Sequence, residues 1–155
     1  MPRETSLRVS DLLEPKDVVA DLRVADKGRA LRELARRAAA LADVPEAVLH
    51  DALLARERLG STGVGAGVAM PHARIAGLNG LHGIFARLAK PIDFAAVDDR
   101  PVDLIFLLLA PESGDSLAAL ACAARALRNP ATAKRLREAS DADALYAVLT
   151  EQSLG

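Results

Sequence analysis

Aromatic residues and cysteine are scarce in this chain. Its 155 residues include no Trp, one Tyr, three Phe and a single cysteine, Cys122. One cysteine excludes an internal disulfide and fits a reducing compartment. Because Cys122 stands within the apolar run LAALACAARAL, we expect it to be a small core residue. With so few aromatics the core must be aliphatic, and a chain of this length can bury a substantial one within a single domain.

An excess of one charge and a long apolar run are also missing. Lys and Arg number 20 against 21 Asp and Glu, a formal net charge of −1. Such a balance argues against a general nucleic-acid-binding protein, which carries a strongly basic face. No apolar run approaches the roughly 20 residues that span a bilayer, and the first residues lack the apolar core of a signal peptide. We therefore expect a cytoplasmic protein without membrane insertion.

Hydrophobic periodicity predicts several helices. Apolar residues recur at helical spacing over residues 27–42, where Asp26 is placed to cap the first turn. A second helix is predicted to begin with Pro45 in its first turn and to end near Leu59. Three more helices are predicted at about residues 116–128, 131–139 and 141–150.

Strands are predicted between the second and third helices. Residues 83–88 and 102–109 have strand character, and the second run, VDLIFLLL, is so continuously apolar that both of its faces should be covered. A short apolar piece at 67–70 is predicted at an edge of the sheet, and Lys90-Pro91 and residues 98–101 are predicted turns. The sequence thus predicts an α/β fold, a central mixed β-sheet flanked by helices, as a single layered domain over residues 1–155.

The most informative segment is residues 56–74, RERLGSTGVGAGVAMPHAR. Four glycines fall within eight residues, followed by Pro71 and His72. Glycine frees the backbone, whereas Pro71 fixes its own φ and restricts the residue before it, so the chain enters His72 on a stiff, extended course. A neutral imidazole has a nucleophilic nitrogen near physiological pH. The residues alone leave two interpretations, a presented nucleophile or a satisfied loop histidine.

The same nineteen positions resemble the active-site signature of the IIA proteins of the fructose/mannitol class in the bacterial phosphotransferase system. The similarity continues more loosely from about Leu7 to Leu149 and is closest to the free-standing nitrogen-regulatory branch. It implies that His72 accepts a phosphoryl group on Nε2 from a small histidine-phosphorylated carrier protein, without a cofactor. It also implies that Nδ1 is held by a neighbouring group, which the sequence does not identify.

Several residues are candidates for contacting the phosphoryl group. Arg56 aligns with the arginine of the family, and a guanidinium matches phosphate oxygens in a fork geometry. Arg74 is a second cationic candidate. Ser61 and Thr62 offer hydroxyls and backbone N–H groups, and the glycine run could form an anion-binding concavity. Ordinary loop structure is the alternative for Ser61 and Thr62, and a surface cation at a helix end is the alternative for Arg56.

Ser116 marks a departure from the family. Members have a second histidine at the start of the helix that follows the long apolar strand, and the aligned residue here is Ser116. Two roles are open for it: N-cap of that helix, or donor of one hydrogen bond to a phosphoryl oxygen near the helix N-terminus. The difference concerns the efficiency of transfer rather than the identity of the acceptor.

Other functions fit the sequence less well. His50 and His82 show no metal-ligand spacing, so no metal site is expected. The glycine run lacks the Lys-Ser/Thr ending of a nucleotide-binding loop, and the G-x-S-x-G motif of a serine hydrolase is absent. The resemblance implies a phosphocarrier that acts on regulatory protein targets. Two alternatives stay open, a transport component that passes phosphate to a sugar-specific IIB domain and a non-catalytic binding module.

Overall fold

A computed structural model describes residues 7–112 and 116–152 of the chain. Its strands are β1 (Val18–Leu22), β2 (Gly63–Gly65), β3 (Val68–Ala69), β4 (His72–Ile75), β5 (His82–Ile92) and β6 (Val102–Pro111). Its α-helices are α1 (Lys27–Ala42), α2 (Glu46–Arg58), α3 (Leu117–Leu127), α4 (Pro130–Glu138) and α5 (Ala142–Gln152). Within the described residues, two short 3₁₀ turns, Val9–Asp11 and Pro15–Asp17, precede β1.

The strands form one mixed sheet in the order β1-β5-β6-β3-β2, and β4 also pairs with β6. β5 and β6 are antiparallel, whereas β1 runs parallel to β5, and β3 and β4 run parallel to β6. β3 and β4 lie end to end along the same edge of β6, beside residues 104–105 and 108–111. The prediction of a central mixed sheet flanked by helices is confirmed.

Helices cover both faces of this sheet. Side chains of β6 alternate between two buried clusters: Ile105, Leu107 and Leu109 pack with α1 and α2, and Leu104, Phe106 and Leu108 pack with α3, α4 and α5. This arrangement confirms that the continuously apolar run belongs to a strand covered on both faces. It also places α2 beside β4, where the candidate histidine lies, and the start of α3 near the same end of the sheet.

The helix boundaries agree closely with the periodicity. α1 covers the predicted residues, and the Asp26 carboxylate accepts a hydrogen bond from the Arg29 backbone N–H at 2.8 Å. α2 begins one residue later than predicted. Pro45 has an extended ψ of 137° and is the N-cap rather than a residue of the first turn. Its ring fixes φ only, so the same residue fits either position.

One edge-strand assignment and one turn assignment made from the sequence are wrong. The short apolar piece at 67–70 contains β3, which is paired with β2 on one side and β6 on the other, so β2 and not β3 forms the edge. Lys90 and Pro91 lie within β5 instead of a turn. The pairing register shifts between Arg87 and Ile92, and a proline without an N–H is tolerated in such an irregular stretch.

Candidate active site

His72 is the first residue of β4, just after the gap that separates β3 from β4. Met70 and Pro71 fill this gap, and the Pro71 carbonyl still accepts a hydrogen bond from Leu108 N at 2.9 Å. The imidazole Nδ1 lies 2.9 Å from the carbonyl oxygen of Met70. A carbonyl only accepts hydrogen bonds, so Nδ1 carries a proton, and in the neutral ring Nε2 keeps its lone pair. The neighbouring group that the sequence left unidentified is thus the main-chain carbonyl of Met70.

Arg56 faces the other nitrogen of the same ring. It leaves the last turn of α2, and its Nε lies 3.3 Å from His72 Nε2. Its Nη1 donates to the carbonyl of Gly60 at 2.9 Å, which holds the guanidinium in place. The Arg56 guanidinium, which has further N–H donors, therefore lies beside His72 Nε2. There it can pair with an incoming anion.

Four of the candidate residues share one open cleft of about 510 Å³ between α2, β4 and the start of α3: Arg56, His72, Arg74 and Ser116. Arg74 is exposed and follows His72 by two positions in β4, on the same side of the strand. Leu59 and Leu117 also line the cleft, and they are 84% and 72% exposed. The cleft thus combines a nucleophilic nitrogen, two guanidinium groups and an apolar rim open to solvent.

Ser116 precedes α3 directly but does not cap it with its side chain. Its φ and ψ of −89° and −11° are helical, and its hydroxyl makes no cap hydrogen bond to the helix. Ser116 therefore occupies the N-cap position that the sequence suggested, but without the side-chain hydrogen bond that such a cap usually makes. The residue is 9% exposed and lies at the end of α3 where the helix dipole favours an anion.

Ser61 and Thr62 do not line the cleft with His72, although the sequence suggested both as phosphate contacts. The Ser61 hydroxyl donates to the carbonyl of Phe94 at 2.7 Å, and the Thr62 hydroxyl bonds to the carboxylate of Glu57. Thr62 is 3% exposed, and its backbone N–H also donates to Glu57, at 3.1 Å. Both residues are engaged in holding the loop, so the geometry does not support a direct phosphate contact.

The glycine run builds a hairpin rather than an open anion cradle. Its turn lies at residues 66–67, between β2 and β3, and Ala66 has a φ of +57°. The Ala66 N–H donates to the Asp98 carboxylate at 2.9 Å, and this bond lowers the pKa of Asp98 below its usual range. The backbone N–H of this turn, which the sequence suggested as a phosphate-binding group, is therefore already bonded to a carboxylate of the protein itself.

Sequence reasoning missed Glu57, the residue next to Arg56. Its side chain is 6% exposed and forms an ion pair with Lys27 Nζ at 2.7 Å. A signal was present, because the helix dipole disfavours a carboxylate in the last turn of a helix. A glutamate at that place indicates specific partners, which here are Lys27 and Thr62.

The remaining reactive side chains lie apart from the cleft. His82, in β5, has its Nε2 3.7 Å from the buried carboxylate of Asp17. Cys122 is buried in α3, and burial raises the pKa of its thiol. Among residues 7–112 and 116–152, no three His, Cys, Asp or Glu side chains are grouped as a metal site would require. No helix within the same residues has the length and apolar character needed to cross a membrane.

Comparison with known proteins adds to this geometry. The sequence profile described as phosphoenolpyruvate-dependent sugar phosphotransferase system, EIIA 2, matches residues 11–152. A nitrogen regulatory protein of Bradyrhizobium diazoefficiens is 49% identical over 143 residues, which cover 91% of this chain and 94% of that protein. A fructose-specific EIIA component of Haloferax volcanii is 40% identical over 103 residues, covering 65% and 67% of the two chains.

The fold has a close counterpart among solved structures. The crystal structure of nitrogen regulatory protein IIA-Ntr from Neisseria meningitidis aligns with a TM-score of 0.86 and 36% sequence identity. The alignment covers 92% of this chain and 99% of that one. The similarity therefore includes both the sheet and the helices that form the cleft.

Proposed function

We propose that this chain, which belongs to the EIIA 2 family of the phosphoenolpyruvate-dependent sugar phosphotransferase system, is a regulatory phosphocarrier that accepts phosphate on His72. One observation carries the choice of acceptor. His72 has Nδ1 bonded to a main-chain carbonyl and Nε2 directed at Arg56 inside an open cleft. An imidazole held in this way has one nucleophilic nitrogen, in a defined direction.

The transfer step follows from this arrangement. The Nε2 lone pair of His72 attacks the phosphorus of a phosphohistidine on the donor, a small histidine phosphocarrier protein. The N–P bond of the donor breaks, and its electron pair returns to the donor imidazole. The His72 ring gains positive charge as the new N–P bond forms, and the Nδ1–H bond to the carbonyl of Met70 stabilises that charge. No proton has to leave His72 during this step.

The cleft supplies the charge stabilisation that phosphoryl transfer needs. Arg56 lies beside Nε2, so its guanidinium can bind oxygens of the transferring group, and Arg74 adds a second cation at the cleft. Ser116 and the N-terminus of α3 face the same space and favour an anion there. Exposed Leu59 and Leu117 form an apolar rim that suits the docking of a protein donor, since apolar side chains around a charged centre are typical of protein interfaces.

The regulatory role rests on the relatives. The Bradyrhizobium and Neisseria proteins are both named nitrogen regulatory proteins, and each aligns over more than nine-tenths of this chain. We infer that the phosphorylation state of His72 changes the affinity for regulatory protein targets in the cytoplasm. The fructose-specific relative supports one alternative, transfer of the phosphoryl group to a sugar-specific IIB domain.

Mass spectrometry tests the acceptor. The chain is incubated with phosphoenolpyruvate and a general phosphotransferase mixture that contains the small histidine phosphocarrier, and its intact mass is followed with time. We expect one phosphoryl group, stable in base and lost in acid as a phosphoramidate should be. His72→Ala should take up none, whereas His50→Ala and His82→Ala, as matched controls, should be labelled like the parent. Label retained by His72→Ala would exclude His72 as the acceptor.

A second incubation separates the two physiological roles. Phosphorylated chain is mixed with a purified IIB domain of the fructose class and with its sugar permease. Rapid loss of the phosphoryl group from the chain, with its appearance on the IIB domain, would favour the transport role. Retention on the chain is expected for a regulatory phosphocarrier.

A further inference from the structure

A series of hydrogen bonds joins the buried side chain of Glu57 to the imidazole of His72. The Glu57 carboxylate accepts from both the backbone N–H and the hydroxyl of Thr62. The Thr62 carbonyl accepts from Met70 N at 2.9 Å, and the Met70 carbonyl accepts from His72 Nδ1 at the same distance. The position of the Met70 carbonyl, which holds the His72 ring, therefore depends on the Glu57 side chain through Thr62.

The carboxylate at the start of the series is firmly held. Glu57 is 6% exposed, and a buried charge is tolerated only when it is paired and hydrogen-bonded. Lys27 supplies the pair at 2.7 Å. Lys27 is in turn fixed by Phe94, since its Nζ lies 4.7 Å from the centre of the Phe94 ring and donates to the Phe94 carbonyl at 3.3 Å. The end of α2 is thus tied to the start of α1.

We propose that Glu57 is a positioning residue for phosphoryl acceptance by His72, an inference that rests on the function proposed above. Arg56 and Glu57 are neighbours in the last turn of α2 and act on the two nitrogens of one ring. Arg56 contacts Nε2 directly, whereas Glu57 fixes Nδ1 through Thr62 and Met70. One turn of helix thereby sets both the orientation and the tautomer of the imidazole.

The tautomer is the functional consequence. A neutral imidazole carries its proton on either nitrogen, and only the form protonated on Nδ1 can attack through Nε2. If Thr62 and Met70 move, the carbonyl of Met70 no longer selects that form. His72 then spends part of its time protonated on Nε2, with no lone pair directed into the cleft. Loss of Glu57 should therefore slow the chemical step without changing how the donor binds.

Two variants test the proposal in the full chain. Glu57→Gln removes the negative charge that pairs with Lys27 and accepts hydrogen bonds from Thr62. Thr62→Val removes the hydroxyl without changing the shape of the side chain. Each should lower the rate of phosphorylation at saturating phosphorylated donor by about tenfold or more, as expected for loss of a hydrogen bond to a charged group. The donor concentration that gives half the maximal rate should be unchanged, because neither side chain reaches the surface.

Nitrogen-15 NMR of the unphosphorylated chain gives a readout that does not depend on the donor. In the parent, the ring signals of His72, assigned by their loss in His72→Ala, should show a proton on Nδ1. Glu57→Gln and Thr62→Val should shift this population toward the form protonated on Nε2. Thr62→Ser keeps the hydroxyl and should restore most of the rate and the parent tautomer.

Thr132 offers a matched control for loss of a buried threonine hydroxyl. It is fully buried in α4, and within the described residues its Oγ1 has no hydrogen-bond partner. Thr132→Val should leave the rate and the His72 signals as in the parent. Rates are compared only among variants whose thermal melting matches the parent. If Glu57→Gln does not fold, the result for Thr62→Val tests the proposal alone.

The outcomes separate this inference from the proposed function. A parent rate and a parent tautomer in both variants would overturn the role of Glu57. A slower rate with an unchanged tautomer would overturn it too, because Glu57 would then act on the fold alone. If the parent chain itself takes up no phosphate, the proposed function fails, while the tautomer measurement still judges the link between Glu57 and His72.

Discussion

Alanine at Gly67 should damage both the fold and the site, whereas alanine at Gly77 should cost only backbone strain. Both glycines have a φ of +82°, and each lies five positions from His72, on opposite sides. A side chain at Gly77 would meet no heavy atom within 4 Å. A Cβ at Gly67 would clash with Nη2 of Arg137 and lie 3.0 Å from Oδ1 of Asp103. The pair therefore separates strain from steric conflict.

The guanidinium of Arg137 makes structural hydrogen bonds beside Gly67. It binds both carboxylate oxygens of Asp103 at 2.9 Å and donates to the carbonyl of Ala66, also at 2.9 Å. These bonds join α4 to β6 through Asp103 and to the turn between β2 and β3 through Ala66. A Cβ at Gly67 would push the guanidinium away and so release the turn. Thr62 directly precedes β2 and Met70 directly follows β3, and the two are hydrogen-bonded to each other, so we expect the disturbance to reach the carbonyl that orients His72.

The magnitudes follow from these contacts. Positive φ costs alanine about 1 kcal/mol at either position. Gly67→Ala loses in addition a partly exposed ion pair, about 0.2–1 kcal/mol, and a hydrogen bond of about 1 kcal/mol. We expect a total of about 2–3 kcal/mol against about 1 kcal/mol for Gly77→Ala. At about 2–4 °C per kcal/mol, the melting temperature should fall by about 2–4 °C for Gly77→Ala and roughly 4–12 °C for Gly67→Ala.

Circular-dichroism melting and the time course of phosphorylation check this prediction. Well below its melting temperature, Gly67→Ala should accept phosphate about two- to tenfold more slowly than the parent, an alignment loss of about 0.5–1.5 kcal/mol. Gly77→Ala should react at the parent rate. Equal melting temperatures and equal rates for the two variants would show that the link between Arg137 and the turn does not support the site.

Further predictions concern single side chains. Arg56→Ala should slow phosphorylation about tenfold or more and Ser116→Ala about tenfold or less, in single-turnover assays; abolition of transfer by Ser116→Ala would make Ser116 essential instead. Ser116→His should raise the rate, since position 116 lines the cleft. Arg87→Met should lower the free energy of unfolding in urea by about 2–4 kcal/mol at an unchanged phosphorylation rate, because buried Arg87 donates to two carbonyls at the end of α4. Cys122 should react slowly with iodoacetamide until the chain unfolds, because burial raises its pKa; fast labelling of the folded chain would contradict its burial.

Local signals in the sequence determined much of this protein. The amphipathic period of α1 and the continuous apolar run of β6 lie in contiguous residues, so both elements were predicted close to their observed ends. Pro71 and the glycines before it marked His72 as the candidate nucleophile for the same reason. Strands β1 and β4 escaped prediction. They are five and four residues long, and each is stabilised by pairing with a strand far away in the chain.

The site shows the limit of local reasoning most clearly. Ser61 and Thr62 carry hydroxyls next to a glycine run, and the sequence alone cannot say whether they face a cleft or the interior. The fold directs them to Phe94 and Glu57. Residue type reveals which bonds a side chain can make, but the partner depends on packing between distant elements.

Only the tertiary structure brings the two ring nitrogens of His72 to their partners. Arg56 meets Nε2 because α2 packs beside β4, and the carbonyl of Met70 meets Nδ1 because the strand beside β6 is interrupted between Ala69 and His72. A main-chain carbonyl has no signature in a sequence, since every residue has one. The type of each residue and the local hydrophobic period can be read from neighbouring residues. Which atoms come within bonding distance depends on how distant strands and helices pack.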